Sequence, residues 1–242
     1  MVQTIFKYSS AFMLAFVLAG PLFAQMPTKA GEPIKLDTIV NSLYEEIMPL
    51  IAPDKKTLYF VRSLSAANTG GKEAGQDVWF STMMADGKWS KPFNLGLPIN
   101  NESNNAVCGI ADDGNTLYLT NVYKSKKMEP GISYTKKVNG IWSQPVALDI
   151  KELNIQRGYL GGFMCTDQKT LFLTMKSDDA VGREDIYVST KNADGSWAKP
   201  KTLGRPINTV GFEISPFYND SDSMLYFEIG RASCRERVLN LV

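Results

Sequence analysis

The sequence predicts an all-β protein, a β-propeller whose blades are four-stranded antiparallel sheets. Two independent markers recur along the chain with a common period of about 54 residues. The first is a leucine near the start of an apolar strand, at Leu58, Leu117, Leu171 and Leu225. The second is a tryptophan that follows a hairpin turn, at Trp89, Trp142 and Trp197. A single four-stranded blade cannot bury both of its faces, so blades of this length stack around an axis and share a core.

The N-terminal residues 1–24 have the composition of a signal peptide. One lysine precedes an apolar run from Ala11 to Phe23, and Ala24 offers a small residue for cleavage. The alternative is an uncleaved anchor helix, but the run is short for a membrane span and Gly20-Pro21 interrupts it. We therefore expect an exported protein, periplasmic or associated with the outer membrane, without a membrane span in the mature chain. A polar linker follows at residues 25–35.

The propeller repeats are predicted to occupy residues 36–229. The opening segment, LDTIVN at Leu36–Asn41, has the same spacing as Leu95–Asn100 and Leu203–Asn208, which end later units. We interpret it as the exit segment of a unit whose earlier strands are absent from the sequence. The units that follow are predicted at residues 46–100, 105–154, 159–208 and 213–229, giving three complete blades, part of a fourth, and an incomplete ring.

Each unit has one internal order, clearest in the first. A strand at Thr57–Val61 is followed by a Gly- and Ser-rich loop over 63–76 and a third strand at Asp77–Ser81. Asp86-Gly87 then marks a hairpin turn before the tryptophan. Because the tryptophans recur at one fixed place, we interpret them as packing anchors; the alternative is a row of sugar-stacking aromatics.

Two positions depart from the repeat. Pro130 stands where the other units have an aspartate, Asp77 or Asp185, so the second unit is predicted to be irregular at its third strand. Gly162 replaces the proline found at Pro49 and Pro216, which predicts an irregular first strand in the third unit.

These linked motifs resemble the WD40-like propeller repeat called PD40, found in TolB-type proteins and in exported proteins of Bacteroidetes-like bacteria. The similarity rests on P-x-x-x-x-D-x-x-x-L-Y-F, then D-[IV]-[YW]-x-S, then [DN]-G-x-W with the exit L-G-x-x-I-N, and covers about residues 36–228. The resemblance implies the fold, a place in the cell envelope, and a link to peptidoglycan through a C-terminal OmpA-like domain. It does not specify a ligand.

The last residues, 230–242, read GRASCRERVLNLV and match no part of the repeat. They are similar to translated cloning or adaptor sequence, and our hypothesis is that the chain is a fragment with a non-native end. The alternative is a genuine basic tail.

Several kinds of chemistry are excluded by composition. The chain has no histidine, which removes His-based general bases, Ser-His-Asp and Cys-His pairs, and His-ligated metals. It has no phosphate-binding glycine loop, and a net charge of +1 argues against nucleic-acid binding. The cysteines do not form a disulfide framework and are predicted to be small buried thiols: Cys108, Cys165 and Cys234.

Candidate site residues are few. Calcium ligands are conceivable in two acidic runs, for which solvated turns are the simpler interpretation: Asn219, Asp220 and Asp222, or Asp178, Asp179 and Glu184. Asp-Gly-x-Trp does not have the spacing of a sialidase Asp-box. The arginines fall at unlike repeat positions and form no triad: Arg62, Arg157, Arg183 and Arg205.

The function predicted from these patterns is an exported, non-catalytic propeller that binds envelope proteins, glycans or peptidoglycan. No catalytic, metal or cofactor residue is predicted, and the chain is expected not to be an enzyme. Its ligand face is expected at the loops that do not repeat, namely 63–76, 121–131 and 175–183. The alternative is a carbohydrate-active propeller enzyme, sialidase- or lyase-like, that works with acidic residues alone.

Overall fold

A computed structural model describes residues 35–124, 127–156, 159–230 and 239–241. Within these ranges the protein is all-β and contains no helix. The first eight strands are β1 Glu45–Ile51, β2 Thr57–Ser63, β3 Gln76–Thr82, β4 Phe93–Asn94, β5 Ala106–Ile110, β6 Thr116–Tyr123, β7 Met128–Val138 and β8 Ile141–Trp142. The others are β9 Val146–Ala147, β10 Leu160–Met164, β11 Thr170–Met175, β12 Asp185–Thr190, β13 Lys201–Thr202, β14 Phe212–Asn219, β15 Met224–Gly230 and β16 Leu239–Leu241.

The strands form four antiparallel sheets, each made from consecutive segments of the chain. The first sheet is β1 to β4 and the second is β5 to β8, with β9 also paired to β7. The third is β10 to β13, and the fourth is β14 to β16. The leading strands contact one another in succession, β1 with β5, β5 with β10, and β10 with β14. This propeller-like order confirms the prediction of an all-β protein built from antiparallel sheets.

The second strand of each sheet carries the repeated leucine, and neighbouring sheets cover it. At the boundary of the first and second sheets, Val61 and Val78 pack against Leu117 and Leu119, and Ile99 from the connecting segment joins them. All five are fully buried. Burial of such apolar side chains contributes about 1.5–3 kcal/mol each, which is why these strands are apolar on both faces.

The Ile-Asn pair that ends each unit has a structural role. The side-chain Oδ1 of Asn100 accepts from the backbone N–H of Val78 at 2.9 Å, and its Nδ2 donates to the Val78 carbonyl at 2.8 Å. Asn208 binds Ile186 in the same way, at 2.9 and 3.0 Å. We call this two-bond contact the asparagine clamp; it fastens the exit segment to the third strand of its own sheet.

The prediction of an irregular first strand in the third unit is wrong. β10 pairs with β11 without a register shift, and Gly162 lies opposite Leu173. The shifts occur instead in β1 and β14, directly before Pro49 and Pro216. Proline has no N–H to donate, so a strand that contains it needs a bulge there, whereas glycine keeps the ladder intact.

The irregularity predicted near Pro130 is confirmed. The pairing of β6 with β7 shifts between Thr120 and Val122. Asn121 at this shift has φ 72°, and Gly131 on the facing strand has φ 156°. The expectation of a loop over 121–131 is corrected, because β6 runs to Tyr123 and β7 begins at Met128.

Part of the C-terminal tail belongs to the fourth sheet. β16 pairs antiparallel with β15, in the place of a third strand, with Leu239 opposite Glu228. The statement that 230–242 matches no part of the repeat is therefore corrected for these three residues. The predicted signal peptide, most of the linker, Cys234 and Arg157 lie outside the described residues. None of the described residues forms a helix long and apolar enough to span a membrane.

Candidate functional site

A pocket of about 390 Å³ lies where the second sheet's exit segment meets the third sheet. Three stretches of chain form it: the segment after β9, the end of β11 with the loop that follows, and the turn before β13. We call it the acidic pocket. Its lining residues are Glu152, Leu153, Asn154, Met175, Ser177, Asp178, Asp179, Lys199 and Pro200.

Asp178 ties two walls of the acidic pocket together. Its Oδ2 accepts from Asn154 Nδ2 at 2.6 Å, and its Oδ1 accepts from the side-chain amide of Gln156. The backbone N–H of Gln156 also donates to the Lys176 carbonyl at 2.8 Å. The loop after β11 is thus held against the exit segment by an exposed carboxylate.

Asp179 is oriented by a tyrosine from the third strand of the same sheet. The hydroxyl of Tyr187 donates to Asp179 Oδ1 at 2.9 Å. Tyr187 is almost entirely buried, and burial, with the adjacent carboxylate, raises the pKa of its hydroxyl far above the usual value. The phenol is therefore a permanent donor at neutral pH. It fixes one oxygen of Asp179 and leaves the exposed side of the carboxylate open.

An ion pair closes the third side. Lys199 Nζ lies 2.8 Å from Glu152 Oε2, and both side chains are largely exposed to solvent. The hydrogen bond to Glu152 raises the pKa of Lys199, and Asp179 adds to this effect. The ammonium group therefore stays charged and balances part of the negative charge around the pocket.

The chemistry of this lining suits a small polyhydroxylated ligand. Carboxylates accept from hydroxyl groups, while the ammonium and amide groups donate to them. Apolar patches from Leu153, Met175 and Pro200 lie beside these polar groups and offer contact to C–H faces. The volume falls in the range of small-molecule sites, about 300–1,000 Å³.

Of the predicted ligand-face loops, 175–183 forms the pocket wall, whereas 63–76 is filled by its own side chains. In that first loop Asn68 is buried. Its Nδ2 donates to the Arg62 carbonyl at 2.9 Å, and its Oδ1 accepts from Trp79 Nε1 at 3.0 Å.

The residues proposed as calcium ligands are engaged in other contacts. Asn219 Nδ2 donates to Asp222 at 3.0 Å, the Tyr226 hydroxyl donates to the same carboxylate, and Asp220 accepts from Thr166. Within the described ranges, no group of three or more acidic or cysteine side chains is placed to hold a metal ion. The acidic runs are therefore described as hydrogen-bonded turns.

The remaining candidates have structural surroundings. Trp142 and Trp197 are buried, and only Trp89 is half-exposed, so the tryptophans form no exposed row for stacking. Arg62 pairs with Glu46 at 2.8 Å, and Arg183 lies over the ring of Phe212.

The two described cysteines, Cys108 and Cys165, are unpaired and buried, as predicted. Burial raises the pKa of each thiol to about 12, so both stay protonated and unreactive at neutral pH.

Sequence reasoning missed three pocket residues, namely Glu152, Asn154 and Lys199. A signal for two of them was present. The exit segment of the second unit, Leu148–Asn154, is one residue longer than Leu95–Asn100 and lacks its glycine. Lys199 follows the repeat, so nothing in the pattern marks it.

No protein family and no curated protein matches the chain at the level of sequence. Among solved structures, a complex described by the words BT0996 and RGII is 10% identical, with a TM-score of 0.49, and the match covers 82% of this protein and 70% of the other. A second, described as a glycoside hydrolase, is 10% identical with a TM-score of 0.49, covering 86% and 71%. The periplasmic gluconolactonase PpgL of Pseudomonas aeruginosa is 20% identical with a TM-score of 0.40, covering 71% and 47%.

The comparison corrects one prediction. The chain was expected not to be an enzyme, yet two of these three neighbours are named as enzymes, a glycoside hydrolase and a gluconolactonase. The expectation of a non-enzyme is therefore withdrawn. At these identities and TM-scores the likeness concerns the fold, and it assigns neither a substrate nor a role for any residue.

Proposed function

We propose that the protein is an exported, carbohydrate-active β-propeller and that the acidic pocket holds its sugar. The observation that carries this proposal is the pocket's donor and acceptor set. Three carboxylates, one amide and one ammonium group surround a cavity of about 390 Å³, beside three apolar side chains. Sugars present alternating hydroxyl groups and C–H faces, and this lining complements both.

Within this proposal the carboxylates have distinct roles. Asp179 is held by the neutral Tyr187 hydroxyl and presents its open side to a sugar hydroxyl as an acceptor. Asp178 holds the pocket walls together through Asn154. Glu152, paired with Lys199, is the third acidic group available for acid–base chemistry. Glycoside hydrolysis requires two carboxyl groups that flank the scissile bond.

The finer architecture and compartment belong to the same proposal. The recurring motifs support a PD40-type propeller of three complete blades and part of a fourth. The apolar N-terminal segment supports export to the periplasm or outer membrane, where glycans and peptidoglycan are available as partners. Fractionation of cells that express the chain with and without residues 1–24 tests this, with periplasmic recovery expected only for the first.

The experiment for the pocket is a ligand panel on the mature protein. Neutral oligosaccharides, uronic-acid oligosaccharides and peptidoglycan glycan fragments are titrated by calorimetry, and release of reducing ends is measured in parallel. We expect binding that Asp179→Asn weakens about tenfold, because one hydrogen bond to a charged group is lost. Asp222→Asn, in a turn of the fourth sheet, is the matched control and leaves affinity unchanged.

The outcomes separate the two candidate activities. Binding with release of reducing ends that Glu152→Gln or Asp179→Asn abolishes supports an enzyme. Binding without turnover leaves a glycan-binding module, the role that the polar lining alone also supports. If no member of the panel binds, or if binding is insensitive to every pocket substitution, the proposal is wrong.

A further inference from the structure

The outward face of the first sheet has the composition of half a blade boundary. Leu58 and Phe60 occupy the repeat positions of Leu117 and Leu119, which in the second sheet meet the sheet before them. Here they form a small cluster with Trp79 and Val40, and Trp89 packs at its edge. The cluster holds the receiving side of a boundary without a preceding sheet.

The exit segment Leu36–Asn41 is in place on this face. Val40 is buried in the cluster, as its counterpart Ile99 is buried at the next boundary. Asn41 occupies the repeat position of Asn100 and Asn208, the clamp residues. Its Nδ2 donates only to the Leu36 carbonyl among the contacts described, at 2.8 Å, and the side chain is partly exposed, whereas both clamp asparagines are fully buried. The segment thus carries a clamp with no third strand between its jaws.

The fourth sheet ends in the complementary half. Its third strand is β16, and Leu239 lies opposite Glu228. In the first sheet Val61 lies opposite Val78, and in the third Thr174 lies opposite Ile186. Leu239 therefore has the repeat position of Val78 and Ile186, the two residues whose backbone N–H and C=O the clamps bind.

The leading strands show the same mismatch. β5 is buried along its whole length and β10 nearly so, because sheets lie on both sides of them. β1 is mostly exposed, with Ile47 36%, Met48 38% and Ile51 49% accessible. In the described part of the chain, no Cα of the fourth sheet's strands lies within 8 Å of a Cα of β1. The chain's own fourth sheet thus leaves this face uncovered.

We propose that this face binds the fourth sheet of a second copy of the same chain. In each half of the dimer, Asn41 of one copy clamps the backbone of Leu239 in the other, and the partner's fourth sheet covers β1. Two such head-to-tail contacts close a ring of four plus four sheets, within the usual four to eight blades. A second copy satisfies every vacant position because it carries both halves of the boundary.

The test is the mass of the mature full chain in solution, by light scattering after size-exclusion chromatography over a wide concentration range. We expect a dimer, twice the chain mass. Asn41→Leu removes the clamp and Ile51→Arg places a charge on the uncovered face, so each should shift the protein to a monomer with an unchanged circular-dichroism spectrum. Ile141→Arg, at an isoleucine that is 74% exposed in β8, is the matched control and should stay dimeric.

Isotopically light and heavy copies, mixed at low concentration and then concentrated, should give a mixed-mass dimer in native mass spectrometry. A monomer at all concentrations overturns the proposal. So does a dimer that Asn41→Leu and Ile51→Arg leave intact, because another surface would then hold it. A monomer whose melting temperature falls with Asn41→Leu shows instead that the chain closes on its own fourth sheet, and it also overturns the proposal.

Discussion

Two loops at the same place in the repeat, 63–76 and 175–183, differ in what they do with one aromatic side chain. Trp79 and Tyr187 occupy equivalent positions on third strands, and each donates a hydrogen bond into the loop before it. In the first loop the acceptor is Asn68, a neutral buried amide. In the other it is Asp179, an exposed carboxylate at the edge of a pocket.

A second position shows what the two loops share. Asp77 accepts from the backbone N–H of Thr69 at 2.6 Å, and Asp185 accepts from that of Val181, also at 2.6 Å. The repeated aspartate therefore holds the loop in both sheets. The difference between the loops lies in the residue that fills the space above it. A buried amide closes the first loop, and its absence leaves the acidic pocket in the second.

The asparagine clamps, which both sheets share, should give the largest effect. Asn208→Leu leaves the Ile186 N–H and carbonyl buried without partners, and we expect a loss of about 3 kcal/mol in the free energy of unfolding. Asn100→Leu should cost a similar amount at Val78. Urea denaturation measures both. A loss for one substitution without the other would break the equivalence of the two sheets.

The filled loop should be the more costly of the two loops to change. Asn68→Ala leaves Trp79 Nε1 and the Arg62 carbonyl without the partner described above, and we expect a loss of about 2 kcal/mol. Asp179→Ala alters an exposed side chain and should cost less than about 1 kcal/mol. Thermal and urea unfolding of the pair decide this. Equal losses would show that the two loops are scaffolds of the same kind.

Alkaline pH should separate the buried tyrosines of the sheet boundaries from the exposed one. Burial raises the pKa of Tyr59 and of Tyr118 to about 12. In the unfolded chain these phenols ionise near pH 10, so between about pH 10 and 12 the folded state binds more protons, and stability falls as pH rises. Tyr59→Phe should remove about 1–2 kcal/mol of that fall. Tyr226→Phe, at the equivalent and more exposed place in the fourth sheet, is the control, and an equal effect there would contradict the assignment.

The smallest effect on stability is expected inside the acidic pocket. Asp179→Asn keeps an acceptor for the Tyr187 hydroxyl, so unfolding should change by less than about 0.5 kcal/mol. Lys199→Met breaks an ion pair that is open to solvent and should leave the melting temperature unchanged. Differential scanning calorimetry measures both. A large loss from either substitution would assign the pocket to the scaffold and remove its claim to a ligand.

Much of the fold was predictable because its causes are local. Apolar second strands, Asp-Gly turns and the Ile-Asn exit recur with one period, and each depends on residues close together in sequence. The bulges were misassigned because Pro49 was taken as the regular case. Whether a strand needs a bulge depends on which N–H groups its partner strand engages, and that register is a property of the sheet.

The sequence by itself determined the repeat, the antiparallel sheets and the residues that build them, because period and turn chemistry are local properties. Only the tertiary structure decided that Asp178 and Asp179 meet Glu152 and Lys199 across two sheets. It also decided that Asn68 closes one loop while Asp179 leaves another open. Those contacts join segments that are tens of residues apart, and no period in the chain records which side chain enters the space between sheets.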